Sequence, residues 1–145
     1  MDLKDIVAIT GKPGLYEIKA QSKGGIIVKS LLDSKKFPIT ATHNISALNE
    51  IAIFTYEEEV PLRIVLKAIS EKENGKEAIN PKESGKVLTS YFREILPNFD
   101  EERVYTSNIK KVLQWYNLLA SNNFDFSSIK EQEEEQEKNQ KTKEA

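Results

Sequence analysis

The chain of 145 residues contains no cysteine and a single histidine. The absence of cysteine excludes disulfide bonds, thiolate metal sites and cysteine nucleophiles, and it is typical of proteins in a reducing compartment. We therefore expect a cytoplasmic protein. The one histidine, His43, falls in a predicted turn without a nucleophile or acid at a catalytic spacing, so we expect it to bond turn backbone rather than to act as a base.

Long apolar runs are also missing. The apolar stretch at residues 25–28 is far shorter than the ~18 residues that a membrane-spanning helix needs. Residues 1–5 alternate acidic and basic side chains and do not resemble the apolar core of a secretory signal. The sequence therefore predicts no membrane association.

Strong charge of either sign is absent as well, because the formal net charge is only -2. Residues 1–54 have a small basic excess, residues 55–129 a small acidic excess, and residues 130–145 carry four lysines against six glutamates. A dedicated nucleic-acid-binding protein usually shows a stronger basic imbalance. The charge balance therefore disfavours that class.

Alternating apolar and polar residues predict four short strands, at residues 15–21, 26–32, 37–42 and 51–56. Paired glycines at residues 24 and 25 predict a tight hairpin turn, and Pro38 predicts that its strand lies at a sheet edge. The first nine residues instead show about two turns of helical spacing, and residues 43–49 predict one irregular or helical turn.

After residue 56 the apolar spacing changes to three and four residues, which predicts helices. One begins near Pro61, a second begins at Asn80 and Pro81 and ends at Pro97, and a third is capped by Thr106 or Ser107. The fold class that follows is α+β. A small antiparallel unit of about four to five strands, either barrel-like or a bent sheet, precedes a helical hairpin or bundle of about three helices.

Three segments follow from these patterns. Residues 1–56 form the antiparallel β unit, residues 57–126 form the helical unit packed on or beside it, and residues 127–145 are expected to be a disordered, acidic and charged tail.

Two motifs suggest chemistry but fail on inspection. Residues 11–14, Gly-Lys-Pro-Gly, lack the spacing of a phosphate-binding loop and are better explained as a turn. Residues 57–59 are three glutamates that could serve hydrolysis, but acids just before a helix commonly oppose the helix dipole. We assign no catalytic, cofactor-binding or metal-binding residue and predict that the protein is not an enzyme.

Large aromatic side chains in the helical unit favour a protein-binding or adaptor module with an unknown protein partner. Several lie in connections or on the last helix, where surplus aromatics can anchor an interface. The candidate interface residues are Phe99, Tyr105, Trp115 and Phe124. The alternative is that these rings lock the loops onto the core. Pairing of an exposed strand edge with a second copy is also left open.

Weak binding of RNA or another single-stranded nucleic acid through the β unit is the second hypothesis. Small barrels often bind single strands with basic residues around exposed aromatics, here Tyr16 and Phe37. The candidate contacts are Lys12, Lys19, Lys23, Lys35 and Lys36, together with Lys29. The alternative is that these lysines keep turns and strand edges soluble.

Several segments together resemble a family of small uncharacterised bacterial proteins that is catalogued as a domain of unknown function. They are GKPGLY at 11–16, IAIFTYEEEVPL at 51–62, ENG at 73–75, DEERVY at 100–105, IKK at 109–111 and WYNLL at 115–119. The resemblance covers most of residues 1–120 and excludes the tail. It implies a cytoplasmic bacterial protein with a small barrel-like N-terminal unit and a helical C-terminal unit, and it implies no activity, ligand or site residue.

Overall fold

A computed structural model describes residues 3–12, 14–40 and 44–129. The strands are β1 (Ile6–Ile9), β2 (Tyr16–Ser22), β3 (Gly25–Ser30), β4 (Lys36–Ile39), β5 (Ile45–Ala47), β6 (Ala52–Phe54) and β7 (Glu59–Pro61). The helices are α1 (Leu62–Glu73), α2 (Gly85–Ile95) and α3 (Thr106–Ser121). The predicted α+β class is confirmed. No helix in these three stretches is long and apolar enough to cross a bilayer.

The first five strands form one antiparallel sheet in the order β4-β3-β2-β1-β5, and β6 pairs with β7 in a separate hairpin. Within the described residues β4 and β5 are the two edges, so the sheet is open rather than a closed barrel. The register shifts between Ile18 and Ala20, and such a bulge bends its strand. Pro38 lies on the edge strand β4, as its missing N–H predicts.

The prediction of an N-terminal helix is wrong, because residues 6–9 form strand β1 between β2 and β5. This strand is covered on both faces. Ile6 joins the core under the helices, whereas Val7 and Ile9 join a second cluster on the opposite face. Burial on both faces removes the alternation that identifies a strand. Residues 45–47 likewise add a short strand, β5, where the sequence predicts only a turn.

The sheet therefore has two different faces. One face contributes Ile6 to the main core, which also contains the apolar stripes of all three helices. The other face holds a separate cluster of buried residues, namely Val7, Ile9, Tyr16, Val28 and Ile39. The main core is thus shared by the sheet and the three helices.

Helix starts follow local capping. α2 begins at Gly85 rather than near Pro81, because the Ser84 hydroxyl accepts a hydrogen bond from the Val87 N–H (3.3 Å). The Asn80 side chain instead accepts the Lys82 N–H (2.9 Å) and forms a separate turn. Before α1, Glu57 and Glu58 lie in the β6–β7 connection and Glu59 begins β7, so none of the three glutamates lies in the first helical turn.

The folded chain continues to Ile129, three residues into the predicted tail. Phe126 and Ile129 are buried, and the Lys67 ammonium donates a hydrogen bond to the Ile129 carbonyl (3.0 Å). The remaining part of the predicted tail, residues 130–145, lies outside the described residues, as does His43.

Gly25→Ala is expected to destabilise the β2–β3 hairpin strongly. Gly25 has φ +141°, and a Cβ at this position would lie 2.3 Å from the Ile39 carbonyl oxygen of the neighbouring strand. Because that atom belongs to the backbone, strands β3 and β4 must separate, and we expect a loss of about 1–3 kcal/mol in the free energy of unfolding. Urea unfolding measures it. Gly24→Ala, which meets no atom within 4 Å, is the matched control, and equal losses for both variants would contradict the prediction.

Candidate protein-interaction surface

Two of the four predicted interface residues belong to the core. Phe99 is 1% exposed and packs edge to face against Phe92, with ring centroids 5.0 Å apart. Phe124 is 6% exposed and packs in the same way against Phe126, also at 5.0 Å. Neither ring is available to a partner, so the structure supports the alternative that these two rings lock connections onto the core.

The other two predicted residues lie at the surface. Tyr105, just before α3, has 62% of its area exposed. Trp115 is half-buried and lies along a groove of about 190 Å³ between β6 and α3, which Phe54 and Arg103 also line. Val104 lines both this groove and the neighbouring pocket at Tyr105. Tyr105 and Trp115 therefore line two pockets that share Val104.

Strand β6 is extended by pairing with the loop that precedes α3. Thr55 forms a backbone bridge with Phe99. The Phe54 carbonyl accepts a hydrogen bond from the Asp100 N–H (2.9 Å), and the Tyr56 N–H donates one to the Asn98 backbone carbonyl (3.0 Å). These bonds hold residues 54–56 against residues 98–100, although about 45 residues separate the two segments in the sequence.

Buried Thr55 fixes the turn that presents Tyr56. Its hydroxyl accepts the Glu58 N–H (2.9 Å) and the Glu57 N–H (3.2 Å), and it donates to the Glu58 carbonyl. Tyr56 itself stays 61% exposed, and its hydroxyl accepts the Glu101 N–H (3.3 Å). The exposed ring thus has a defined orientation.

A cation–π contact is already present at this surface. The Arg103 guanidinium lies 4.3 Å from the centroid of the Phe54 ring, and its Nε donates to the Asp100 carboxylate (2.7 Å). The hydrogen bond from Arg103 holds the pKa of Asp100 below its ordinary value, with a further contribution from the Glu102 N–H. Arg103 is therefore fixed over the ring by a carboxylate that stays ionised.

The same pairing brings together two acidic triplets, residues 57–59 and residues 100–102. All of them except Asp100 are exposed. Only Arg93, bound to Glu101 (3.0 Å), and Arg103 offset them through ion pairs within the described part of the chain. We call the three rings Phe54, Tyr56 and Tyr105 with these two triplets the aromatic–acidic surface.

The candidate lysines do not converge on one surface. Lys29 lies opposite Lys36 in the strand register, and the Lys19 ammonium is 3.7 Å from Glu17, which lies opposite Lys29. These lysines share one sheet face. Lys12 lies on the other face, over the Phe37 ring at 5.2 Å. Lys23 is at the tip of the β2–β3 hairpin, and Lys35 is in the β3–β4 turn.

The predicted aromatics of the nucleic-acid hypothesis are mostly enclosed. Tyr16 is 5% exposed and Phe37 is half-buried, and the two rings pack edge to face at 5.5 Å. Burial, with a smaller contribution from Asp33, raises the pKa of Tyr16. Tyr16 therefore offers no face on which a base could stack.

A larger groove of about 490 Å³ lies where the β unit meets the helices. Leu32 and Gly14 line it from the β unit, and Trp115 and Leu118 line it from α3. Asn117 lies at its wall, but its side-chain amide is already engaged: the oxygen accepts a hydrogen bond from the Ala78 N–H, and the nitrogen donates one to the Ile79 carbonyl. Among the described residues no three His, Cys, Asp or Glu side chains converge on a position that could hold a metal ion.

Sequence reasoning missed Phe54 and Tyr56. The sequence predicts a strand for both residues, and the exposure of a strand side chain depends on which sheet face the rest of the fold covers. Their i, i+2 spacing, next to a run of glutamates, is the one signal in the sequence that could have indicated an exposed aromatic face.

Comparison with known proteins places this arrangement in a family. Residues 3–48 match a domain of unknown function, DUF5606, and residues 51–119 match another, DUF6852. Curated proteins give no match. A solution NMR structure of a protein from Bacteroides vulgatus, a structural-genomics target, is 42% identical, with a TM-score of 0.69 over 86% of this chain and 89% of that chain. The chain therefore belongs to an uncharacterised bacterial family that includes this Bacteroides vulgatus protein, as its resemblance predicted.

Proposed function

We propose that the protein is a non-catalytic protein-binding module whose aromatic–acidic surface takes a lysine- or arginine-containing segment of another protein. The observation that carries the proposal is the exposure of Tyr56 and Tyr105, each more than 60% accessible, beside two acidic triplets. Tyrosine is enriched among the residues that contribute most to binding at protein interfaces.

The charge at this surface favours a basic partner. Cations bind over aromatic faces, and Arg103 over Phe54 shows that the local geometry accommodates a guanidinium at 4.3 Å. The two acidic triplets beside the rings add a long-range attraction for basic segments and disfavour acidic ones. Tyr56 and Tyr105 remain open for a cation supplied by the partner.

The rigidity of the surface supports the same proposal. The Thr55 hydrogen bonds and the pairing of residues 54–56 with 98–100 fix Tyr56 before any partner arrives. Tyr105 lies at a helix start that the Asn108 side chain caps, through a 2.8 Å hydrogen bond from the Tyr105 N–H. A preordered surface loses little conformational entropy on binding.

Replacing both tyrosines, as Tyr56→Ser with Tyr105→Ser, is expected to weaken partner binding at least about tenfold. Each ring that anchors an interface contributes on the order of 1–2 kcal/mol. Serine is also a favourable residue before a helix, so α3 keeps its start. Displayed random peptides selected on the wild-type chain should be enriched in lysine and arginine, and fluorescence polarisation of the selected peptides measures the loss.

Leu32→Ser and Val87→Ser provide matched controls, because these apolar side chains are 58% and 43% exposed outside the aromatic–acidic surface. Both variants should bind the selected peptides as the wild type does. Peptides that bind the double tyrosine variant with unchanged affinity, or that carry no excess of basic residues, would contradict the proposed function.

Binding of single-stranded nucleic acid through the β unit is the second candidate. One observation favours it, namely that the exposed Lys19 and Lys36 and the half-buried Lys29 share one sheet face. Titration with a labelled oligonucleotide should then give an affinity that falls steeply with salt. Unchanged affinity in Lys29→Gln with Lys36→Gln would contradict it. We also infer a cytoplasmic location, which the absence of cysteine supports.

A further inference from the structure

One exposed part of the sheet is both basic and uncovered by the helices. Lys29 and Lys36 face the same side, and Ile27, two residues before Lys29, lies on that side with 37% of its area exposed. The adjoining β3–β4 turn adds Lys35. We call Ile27, Lys29, Lys35 and Lys36 the lysine face. Within the described part of the chain no carboxylate forms an ion pair with any of its three lysines.

We propose that the glutamate-rich segment of the same chain, residues 131–137, docks on the lysine face. This segment holds five glutamates and no basic residue. Its negative charge is complementary to the lysine face, where Glu17, opposite Lys29 in the strand register, offsets only part of the positive charge. The segment lies outside the described residues. The proposal does not depend on the aromatic–acidic surface or on the function proposed for it.

The length of the chain lets the segment reach its docking surface. At the end of α3 the Asn122 side chain donates a hydrogen bond to the Leu31 carbonyl (3.1 Å), directly after β3 and within the turn that carries Lys35. The chain is then packed as far as Ile129. From there, eight extended residues span up to about 28 Å, about twice the radius of gyration of a domain of this size, roughly 14 Å.

Attachment in the same chain makes weak contacts sufficient. A segment attached through a short connection reaches an effective concentration in the millimolar range. Docking therefore needs only a few exposed charge pairs, each of which is weak alone and screened by salt. Docking is therefore reversible, and any polyanion that binds the lysine face must displace the segment.

The absence of cysteine makes a direct test available. In the full chain, Gln136→Cys introduces one thiol, which is labelled with a nitroxide, and the ¹⁵N-labelled protein is examined by NMR. At about 0.01 M salt, where the Debye length is about 30 Å, the amide signals of residues 27–29 and 35–37 should be selectively broadened. At about 1 M salt, where it is about 3 Å, the broadening should be lost.

Charge variants identify the surface. The triple variant with Lys29→Gln, Lys35→Gln and Lys36→Gln should abolish the broadening. The control variant, in which the exposed Lys82, Lys110 and Lys111 are all changed to glutamine, should leave it unchanged. Broadening that appears instead on the helical unit, or that is absent at low salt, would overturn the proposal. Broadening in a mixture of ¹⁵N-labelled chain with separate nitroxide-labelled chain would also overturn it, because the segment then docks on a second copy.

Discussion

Phe99→Ala is expected to lower the free energy of unfolding by about 3–5 kcal/mol, the usual cost of removing a fully buried phenylalanine. Phe99 is 1% exposed and packs against Phe92. Its bridge with Thr55 joins the loop between α2 and α3 to the end of strand β6. Truncation leaves a cavity and removes the edge-to-face contact at once. Urea unfolding followed by the fluorescence of Trp115 measures the loss.

Tyr105→Ala is the matched control, since this ring lies six residues further on and is 62% exposed. Its removal should change the free energy of unfolding by less than about 0.5 kcal/mol. Similar losses for the two variants would contradict the assignment of Phe99 to the core and Tyr105 to the surface. The contrast also separates a folding defect from a binding defect in any later search for partners.

Sequence patterns could not separate these two rings. Phe99 and Tyr105 both follow helix α2 in a polar connection, and neither belongs to an apolar stripe. Phe99 is buried because its backbone pairs with Thr55, more than forty residues earlier in the sequence. Contacts between segments so far apart leave no local periodicity, so the sequence could not show that residues 54–59 and 100–105 meet in one aromatic–acidic surface.

The parts of the fold that were predictable are those with one covered face. Burial alternates along strand β3, and apolar residues recur every three or four residues along helix α1, because each element buries one face. Both elements occur close to their predicted limits. Strand β1 was missed because it is covered on both sides. The start of α2 was misplaced because Asn80 and Pro81 form a plausible cap, but Ser84 is the residue that bonds the first turn.

Stability is expected to fall steeply as the pH rises above about 10, because three tyrosines keep their protons in the folded chain. Tyr91 is buried, and burial together with the hydrogen bond from its hydroxyl to Glu73 raises its pKa far above the ordinary value. Burial likewise raises the pKa of Tyr116, whose hydroxyl donates to the Lys76 carbonyl (2.7 Å), and that of Tyr16.

The direction follows from proton linkage. Below the unfolded pKa of about 10, both states hold the tyrosine protons and the full stability is present. Above it the unfolded chain releases protons that the folded chain retains. Each such tyrosine then lowers the free energy of unfolding by about 1.4 kcal/mol per pH unit until the pH reaches that tyrosine's own folded pKa. Lys72, which faces Tyr91 and binds Glu94, has a pKa raised by that hydrogen bond and acts in the same direction.

Tyr91→Phe isolates the largest of these contributions. The variant keeps the ring in the core but has no proton to retain, so its free energy of unfolding should fall less steeply with pH, by about 1.4 kcal/mol per unit, than that of the wild type. Urea unfolding between about pH 8 and 11.5 measures both slopes. An identical slope in the two proteins would mean that the folded chain does not hold the Tyr91 proton, and that Glu73 does not act as its acceptor.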